Sequence, residues 1–286
     1  MGSTQDKMKA DLELRRYSKS TQDNYLRYAK KFVAYFMRPA EQMGETEIRT
    51  FLLYQLREKK ISDAGHKMYV AAIKFLYNHT IERPEEVVKI PWPKVPRKLP
   101  DILSGSEVLT LLDAIPFIKT RAIVTTAYGT GMRVSEACNL LIADIDSKRM
   151  LIHIREGKRN RDRYVMLGKQ LLLCLRHYFK TEHPKGPCLF PGQQTDQPIC
   201  SKSVQEAVRK AAKACGINKR VTPHSMRHAF ATHLLETGAD IRTIQVLLGH
   251  GSIRTTTIYT QVSKKHVARV TSPLDLVGTP QGQVLG

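Results

Sequence analysis

Between residues 18 and 36 the apolar side chains Tyr25, Tyr28, Ala29, Phe32, Tyr35 and Phe36 recur at the spacing of one face of an α-helix. The same period returns over 45–59 through Ile48, Phe51, Leu52 and Leu56, and over 63–78 through Met68, Ala72, Ile73 and Leu76. A run of three or four amphipathic helices predicts a small all-helical domain over residues 1–90. The segment Pro91-Trp92-Pro93-Lys94-Val95-Pro96-Arg97-Lys98-Leu99-Pro100 cannot continue a helix, because each proline lacks an amide proton and restricts the residue before it. It reads as a semi-rigid basic linker over 91–103.

After the linker, Ser104 and Glu107 form a capping-box pattern ahead of Val108, Leu111 and Leu112. Leu151-Ile152-His153-Ile154-Arg155 and Arg163-Tyr164-Val165-Met166, joined by a basic turn, predict a β-hairpin. Upstream of it, the glycines of Tyr128-Gly129-Thr130-Gly131-Met132-Arg133 predict a turn, with Arg133 in the first turn of the next helix and Glu136 three residues on. Thr222 and Pro223 read as N-cap and first residue of another helix, continued by Phe230, Leu234 and Leu235 and closed by Gly238. Ile241, Ile244, Val246, Leu247 and Leu248 form a last amphipathic run ending at Gly249. The second domain, 104–271, is thus expected to be mixed α+β, mostly α with a small antiparallel sheet. A Gly-, Pro- and Gln-rich tail follows over 272–286, of the kind that frays at a terminus.

Composition narrows the partner. Among 286 residues, 46 Lys and Arg face 26 Asp and Glu, a formal charge of +20 that suits a polyanionic partner. The polar N-terminus gives no sign of a signal peptide and no run of 18 apolar residues occurs, so the expectation is a soluble, cytoplasmic protein. Cys138, Cys174, Cys188, Cys200 and Cys215 have no metal-like spacing, and their odd number argues against a disulfide framework. Lys19, Arg27, Lys30, Lys31, Lys67, Lys74, Arg97, Lys98, Arg159 and Arg161 are candidates to meet phosphates, alongside Arg155 and Arg163 in the hairpin.

The C-terminal third carries the chemistry. His224-Ser225-Met226-Arg227, Leu248-Gly249-His250 and Tyr259 combine residue types suited to one phosphodiester. Attack on such a group gathers charge on its non-bridging oxygens, which fixed arginine forks hold best. A phenol has a pKa of about 10 and needs nearby cations and a proton acceptor to become a nucleophile. His224 and His250 are placed to supply both, and His224 and Arg227 share a helix face. Lys158, at the hairpin tip, is a cation able to protonate a departing oxygen. His228 and His233 read as packed or solvated helix histidines, and Glu136 as a structural partner of Arg133.

In these motifs the chain resembles the tyrosine recombinases, or phage integrase family, with Xer and integron integrases as relatives, over residues 15–265. The resemblance maps Arg133, Lys158, His224, Arg227, His250 and Tyr259 onto the family's catalytic positions. It implies that the first domain is a SAM-like core-binding domain and the second a catalytic domain. Tyr259 would attack the scissile phosphate to give a 3′-phosphotyrosyl link and a 5′ hydroxyl. Arg133, Arg227 and His250 would stabilise the transition state, Lys158 would act as acid, and His224 as proton acceptor or phosphate ligand. Neither metal nor other cofactor enters.

The implied partners are double-stranded DNA in the nucleoid, further copies of the chain in a tetramer around a Holliday junction, and accessory proteins. The tail would dock on a neighbouring protomer. Integration or excision of a mobile element is the expected task, with Xer-like dimer resolution as the alternative. The short interval from Pro191 to Thr222 leaves no obvious room for the integron integrases' extra insertion. A non-catalytic DNA-binding regulator explains the charge but not the tyrosine and arginines. A metal nuclease lacks carboxylates beside His224 and His228. Type IB topoisomerases and telomere resolvases share the chemistry, but the two-domain layout favours a recombinase.

Overall fold

The computed structural model describes residues 2–94, 99–157, 161–249, 252, 255–257 and 259–260. The chain forms two compact units, Met1–Lys98 and Leu99–Gly286.

The first unit is helical: α1 (Gly2–Leu14), α2 (Lys19–Phe36), α3 (Glu45–Arg57), α4 (Asp63–Phe75) and a short α5 (Glu85–Val88). Ser18 caps α2 by accepting from the Thr21 amide, and Ser62 caps α4 through Gly65. The helix α1 was not evident from periodicity, since it buries little beyond Met8 and Leu12 in an otherwise polar stretch. Phe32, Ile48, Phe51, Tyr69, Ile73 and Leu76 meet in the core, with edge-to-face ring contacts between Phe32 and Phe51 and between Phe51 and Tyr69. The expected helix over 63–78 is shorter: after Phe75 it loosens into a π turn, Leu76–Thr80. That turn carries Tyr77, fully buried, whose hydroxyl donates towards Ala40 O (2.9 Å) and Met43 O (3.1 Å).

The second unit contains α6 (Gly105–Asp113), α7 (Ile118–Thr130), α8 (Val134–Cys138), β1 (Ile145–Asp146), β2 (Leu151–Gly157), β3 (Arg161–Met166), α9 (Lys169–Glu182), α10 (Ser201–Ala214), α11 (Pro223–Glu236) and α12 (Ile241–Leu248). The three strands form an antiparallel sheet in the order β1-β2-β3, and the hairpin register pairs Ile152 with Val165 and His153 with Tyr164. The capping box at Ser104 and Glu107 is present in both directions.

Helix α7 is the centre of this unit, burying Ala122, Ile123, Val124, Thr126, Ala127 and Thr130. Being buried on several sides, it has no polar stripe to betray it in the sequence. Two of its buried threonines are satisfied within the helix, Thr126 donating to Ala122 O and Thr130 to Thr126 O. Gly129, expected in a turn, is therefore helical, and the turn is confined to Gly131, which caps α7 at φ +67°. A Cβ at Gly131 would lie 2.3 Å from the Phe230 ring, so both the backbone angle and the packing require glycine.

Replacing Tyr77 by Phe removes one buried donor each from Ala40 O, which still accepts from Met43 N–H, and from Met43 O, which still accepts from Arg83 Nη1. The expected loss is about 0.5–1.5 kcal/mol, read as a lower denaturant midpoint at unchanged slope.

Candidate active site

The site is assembled around Arg227, on α11, which is only 3% exposed. Its guanidinium donates Nη1–H to Gly131 O (2.7 Å) and Nη2–H to Leu248 O (2.5 Å). Both carbonyls sit at helix C-termini, those of α7 and α12, where the backbone dipoles present partial negative charge. Burial, and then the neighbouring Arg133, bring the Arg227 pKa down to about 10, so it remains a cation at neutral pH.

Arg133 is the N-cap of α8, just before rather than inside its first turn. Its backbone N–H donates to Glu136 Oε2 (2.8 Å) and its Nη1 to Glu136 Oε1 (2.7 Å). The same carboxylate accepts from Arg163 Nη2 (2.8 Å) and Nη1 (3.2 Å), while Arg163 Nε donates to Leu247 O (3.0 Å). Burial alone would raise the Glu136 pKa; the hydrogen bond and charge of Arg163, then Arg133, overcome it and hold it at about 2. Glu136 is therefore the structural partner expected of it. Arg163 is not a free hairpin cation for DNA: it is locked inside the domain, because the buried carboxylate needs a second positive partner. It also lies 3.1 Å from where a Cβ on Gly249 would stand, and Gly249 caps α12 at φ +61°.

His224 opens α11 with its residue exposed, as expected from the Thr222 and Pro223 start signal. Partial burial of the ring, then Arg227 and Arg133, lower its pKa. Tyr259 is 2% exposed and packs with Phe230, Leu235, Ile244 and Leu248. Burial raises its pKa, opposed by the charges of Arg227 and Arg133. The phenolic oxygen lies 3.2 Å from Nδ1 of His228. His228, read from the sequence as a packed or solvated helix histidine, is half-buried and makes this contact, which its i, i+4 relation to His224 alone did not announce.

The structure brings Arg133, His224, Arg227 and Tyr259 into one electrostatic neighbourhood. Lys158 and His250 lie outside the described residues, as do Arg97, Lys98, Arg159 and the tail 272–286; Arg161 is described only as part of β3. Among the described residues, no group of three or more His, Cys, Asp or Glu is gathered where it could hold a metal. No described helix is long and apolar enough to cross a membrane.

The outlying phosphate candidates differ in availability. Lys30, Lys31 and Lys67 are exposed, Lys19 pairs with Asp23, and Arg27 bonds Asn24 and lies over the Tyr28 ring. Lys74 is turned inward instead, donating to Val87 O (2.9 Å) and resting 5.4 Å from the centre of the Trp92 ring, because its helix face closes over α5. Arg155 is drawn onto the buried carboxylate of Asp144 at 2.6 Å. Along α10, Lys202, Gln205 and Lys213 are exposed, with Arg209 paired to exposed Glu206 at 2.6 Å, opposite buried Val204, Val208 and Ala211.

Residues 5–86 match the N-terminal SAM-like domain of phage integrases, and residues 101–266 match the phage integrase family. The Sinorhizobium fredii protein y4qK, named as a candidate integrase/recombinase, is 42% identical over 98% of this chain and 91% of its own length. The tyrosine recombinase XerA of Pyrococcus horikoshii is 35% identical over 95% and 93%. A lambda integrase tetramer bound to a Holliday junction has the same fold, with a TM-score of 0.73 at 21% identity over 90% of this chain and 76% of that one. The chain belongs to the phage integrase family, the tyrosine recombinases, and is a site-specific recombinase.

Glu136→Gln removes the charge that Arg133 and Arg163 share. The native carboxylate, lowered from 4.5 to about 2, contributes stability fully above pH 4.5 and loses it as the pH falls towards 2. The stability gap between native protein and variant is therefore expected to be constant above pH 4.5 and to shrink below it in thermal melts at successive pH values.

Proposed function

We propose that this recombinase cuts and rejoins duplex DNA through a covalent 3′-phosphotyrosyl bond on Tyr259, exchanging strands by way of a Holliday junction, and that it integrates or excises a mobile element. The observation that carries the chemistry is the convergence of the Arg227 and Arg133 charges on the Tyr259 phenol. Two arginines placed there suit the doubly charged phosphorane that forms when the phenol attacks, and they act without reorganisation because the fold already holds them.

In this reading Arg133, Arg227 and His250 clamp the non-bridging oxygens. Lys158 gives a proton to the departing 5′ oxygen, and His224 binds the phosphate or takes the phenolic proton. The bond energy stays in the phosphotyrosine, so a 5′ hydroxyl from another duplex reverses the step without a nucleotide cofactor. The exposed cations of α10 and of the first unit supply affinity through the DNA backbone. The lambda integrase tetramer on its junction supports a four-protomer assembly by analogy of fold. The integrase half of the name of y4qK supports element movement, and the similarity to XerA keeps Xer-like dimer resolution as the alternative.

The test is covalent trapping without metal, on nicked suicide duplexes tiled from the DNA flanking the gene, with the adduct mapped by peptide mass spectrometry. The expected adduct is on Tyr259, and Tyr259→Phe keeps DNA binding while losing it. An adduct that persists in the variant names another nucleophile. Lys158→Ala is expected to slow cleavage by about 100-fold or more and to recover on a 5′-bridging phosphorothioate, whose leaving group needs no proton. A variant not rescued in this way places the acid elsewhere.

A further inference from the structure

The contact between His228 and Tyr259 has no part in the roles assigned above. Nδ1 of His228 stands 3.2 Å from the phenolic oxygen, with the ring centroids 5.7 Å apart. Phe230, Leu235, Ile244 and Leu248 pack with Tyr259, and among the described residues this imidazole is the group within hydrogen-bond distance of the reacting oxygen. Burial, then His224 and Arg227, bring the His228 pKa down to about 4, which leaves the ring neutral at pH 7. A neutral imidazole accepts the phenolic O–H at Nδ1 when its own proton sits on Nε2, and that tautomer is the one a base for this phenol requires.

We propose that His228 is the base that receives the Tyr259 proton during attack on the scissile phosphate. The inference rests on Tyr259 being the nucleophile. As the phenolic O–H bond breaks, its proton passes to Nδ1. The phenolic oxygen bonds to phosphorus, and the bond from phosphorus to the 5′ oxygen breaks, that oxygen taking its proton from the acid. In the rejoining step the imidazolium returns its proton to the phenol.

His224 and Arg227, the cations or potential cations that weaken His228 as a base, are the groups aimed at the phosphate in this reading. A bound phosphodiester brings negative charge between them and offsets their field, the smaller part of the depression, while burial, the larger cause, remains. His224, whose ring centroid lies 6.4 Å from that of His228, is then a phosphate ligand rather than the proton acceptor.

The experiment is single-turnover trapping by the full chain on the suicide duplex that gives the native Tyr259 adduct, with duplex affinity measured alongside to establish folding. His228→Phe keeps the ring volume without a base, and His228→Asn keeps a polar group near the Nδ1 position without basicity. Both are expected to form the adduct at least about 100-fold more slowly with affinity retained. Both stay slow on the 5′-bridging phosphorothioate that rescues Lys158→Ala. Added imidazole is expected to speed His228→Ala, and not Lys158→Ala, in a saturable manner. If His228→Phe or His228→Asn cleaves within about threefold of the native rate, a ratio worth less than 1 kcal/mol, His228 is not the base. The reading of Tyr259 then still stands. Failure of the native protein to form any Tyr259 adduct removes both.

Discussion

A guanidinium buried without a carboxylate of its own is costly unless something else supplies negative potential. Arg227 finds it in the C-terminal ends of two helices, donating to Gly131 O at the cap of α7 and to Leu248 O at the end of α12. This side chain ties α11 to the ends of α7 and α12, alongside the apolar packing between them. The same interaction that stabilises the domain therefore sets the geometry of the site. Gly131 and Gly249 are the backbone complement of that arrangement, since both helix ends close in the left-handed region.

A second tier of charge surrounds the first. Glu136 holds Arg133 on one side and Arg163 on the other, and Arg163 reaches on to Leu247. The end of α12 is thus gripped at two successive carbonyls by two arginines from different elements. Three arginines here face one carboxylate and two helix termini, which offset only part of their charge and leave a net cationic hollow. Tyr259 rests against it as a neutral, buried phenol hydrogen-bonded to a neutral imidazole.

Much of this was legible in the amino-acid order. The helices α2, α3, α4, α11 and α12 announce themselves by period and by their caps, and the hairpin by alternation across a basic turn. The arginines and the tyrosine stood out because their types and spacing have few other uses together. What stayed hidden has physical causes. The helix α1 is mostly polar, and α7 is buried on several sides, so neither presents a clean stripe. Arg163 looked like one cation among several, and its commitment to Glu136, 27 residues earlier, is a tertiary fact. His228 could be placed on a helix face from sequence, yet its pairing with a tyrosine 31 residues away depends on how the chain returns after α12.

The grip on α12 also defines a mechanical origin. Gly249 leaves a fixed helix end, and ten residues further on comes Tyr259, a length of chain that spans at most about 35 Å when extended. Tyr259 is at the same time packed with Ile244 and Leu248 of that anchored helix. The number of residues between Gly249 and Tyr259 is therefore a register: an insertion or deletion there would shift the phenol against α12 while leaving the Arg163 and Arg227 contacts to the end of α12 in place.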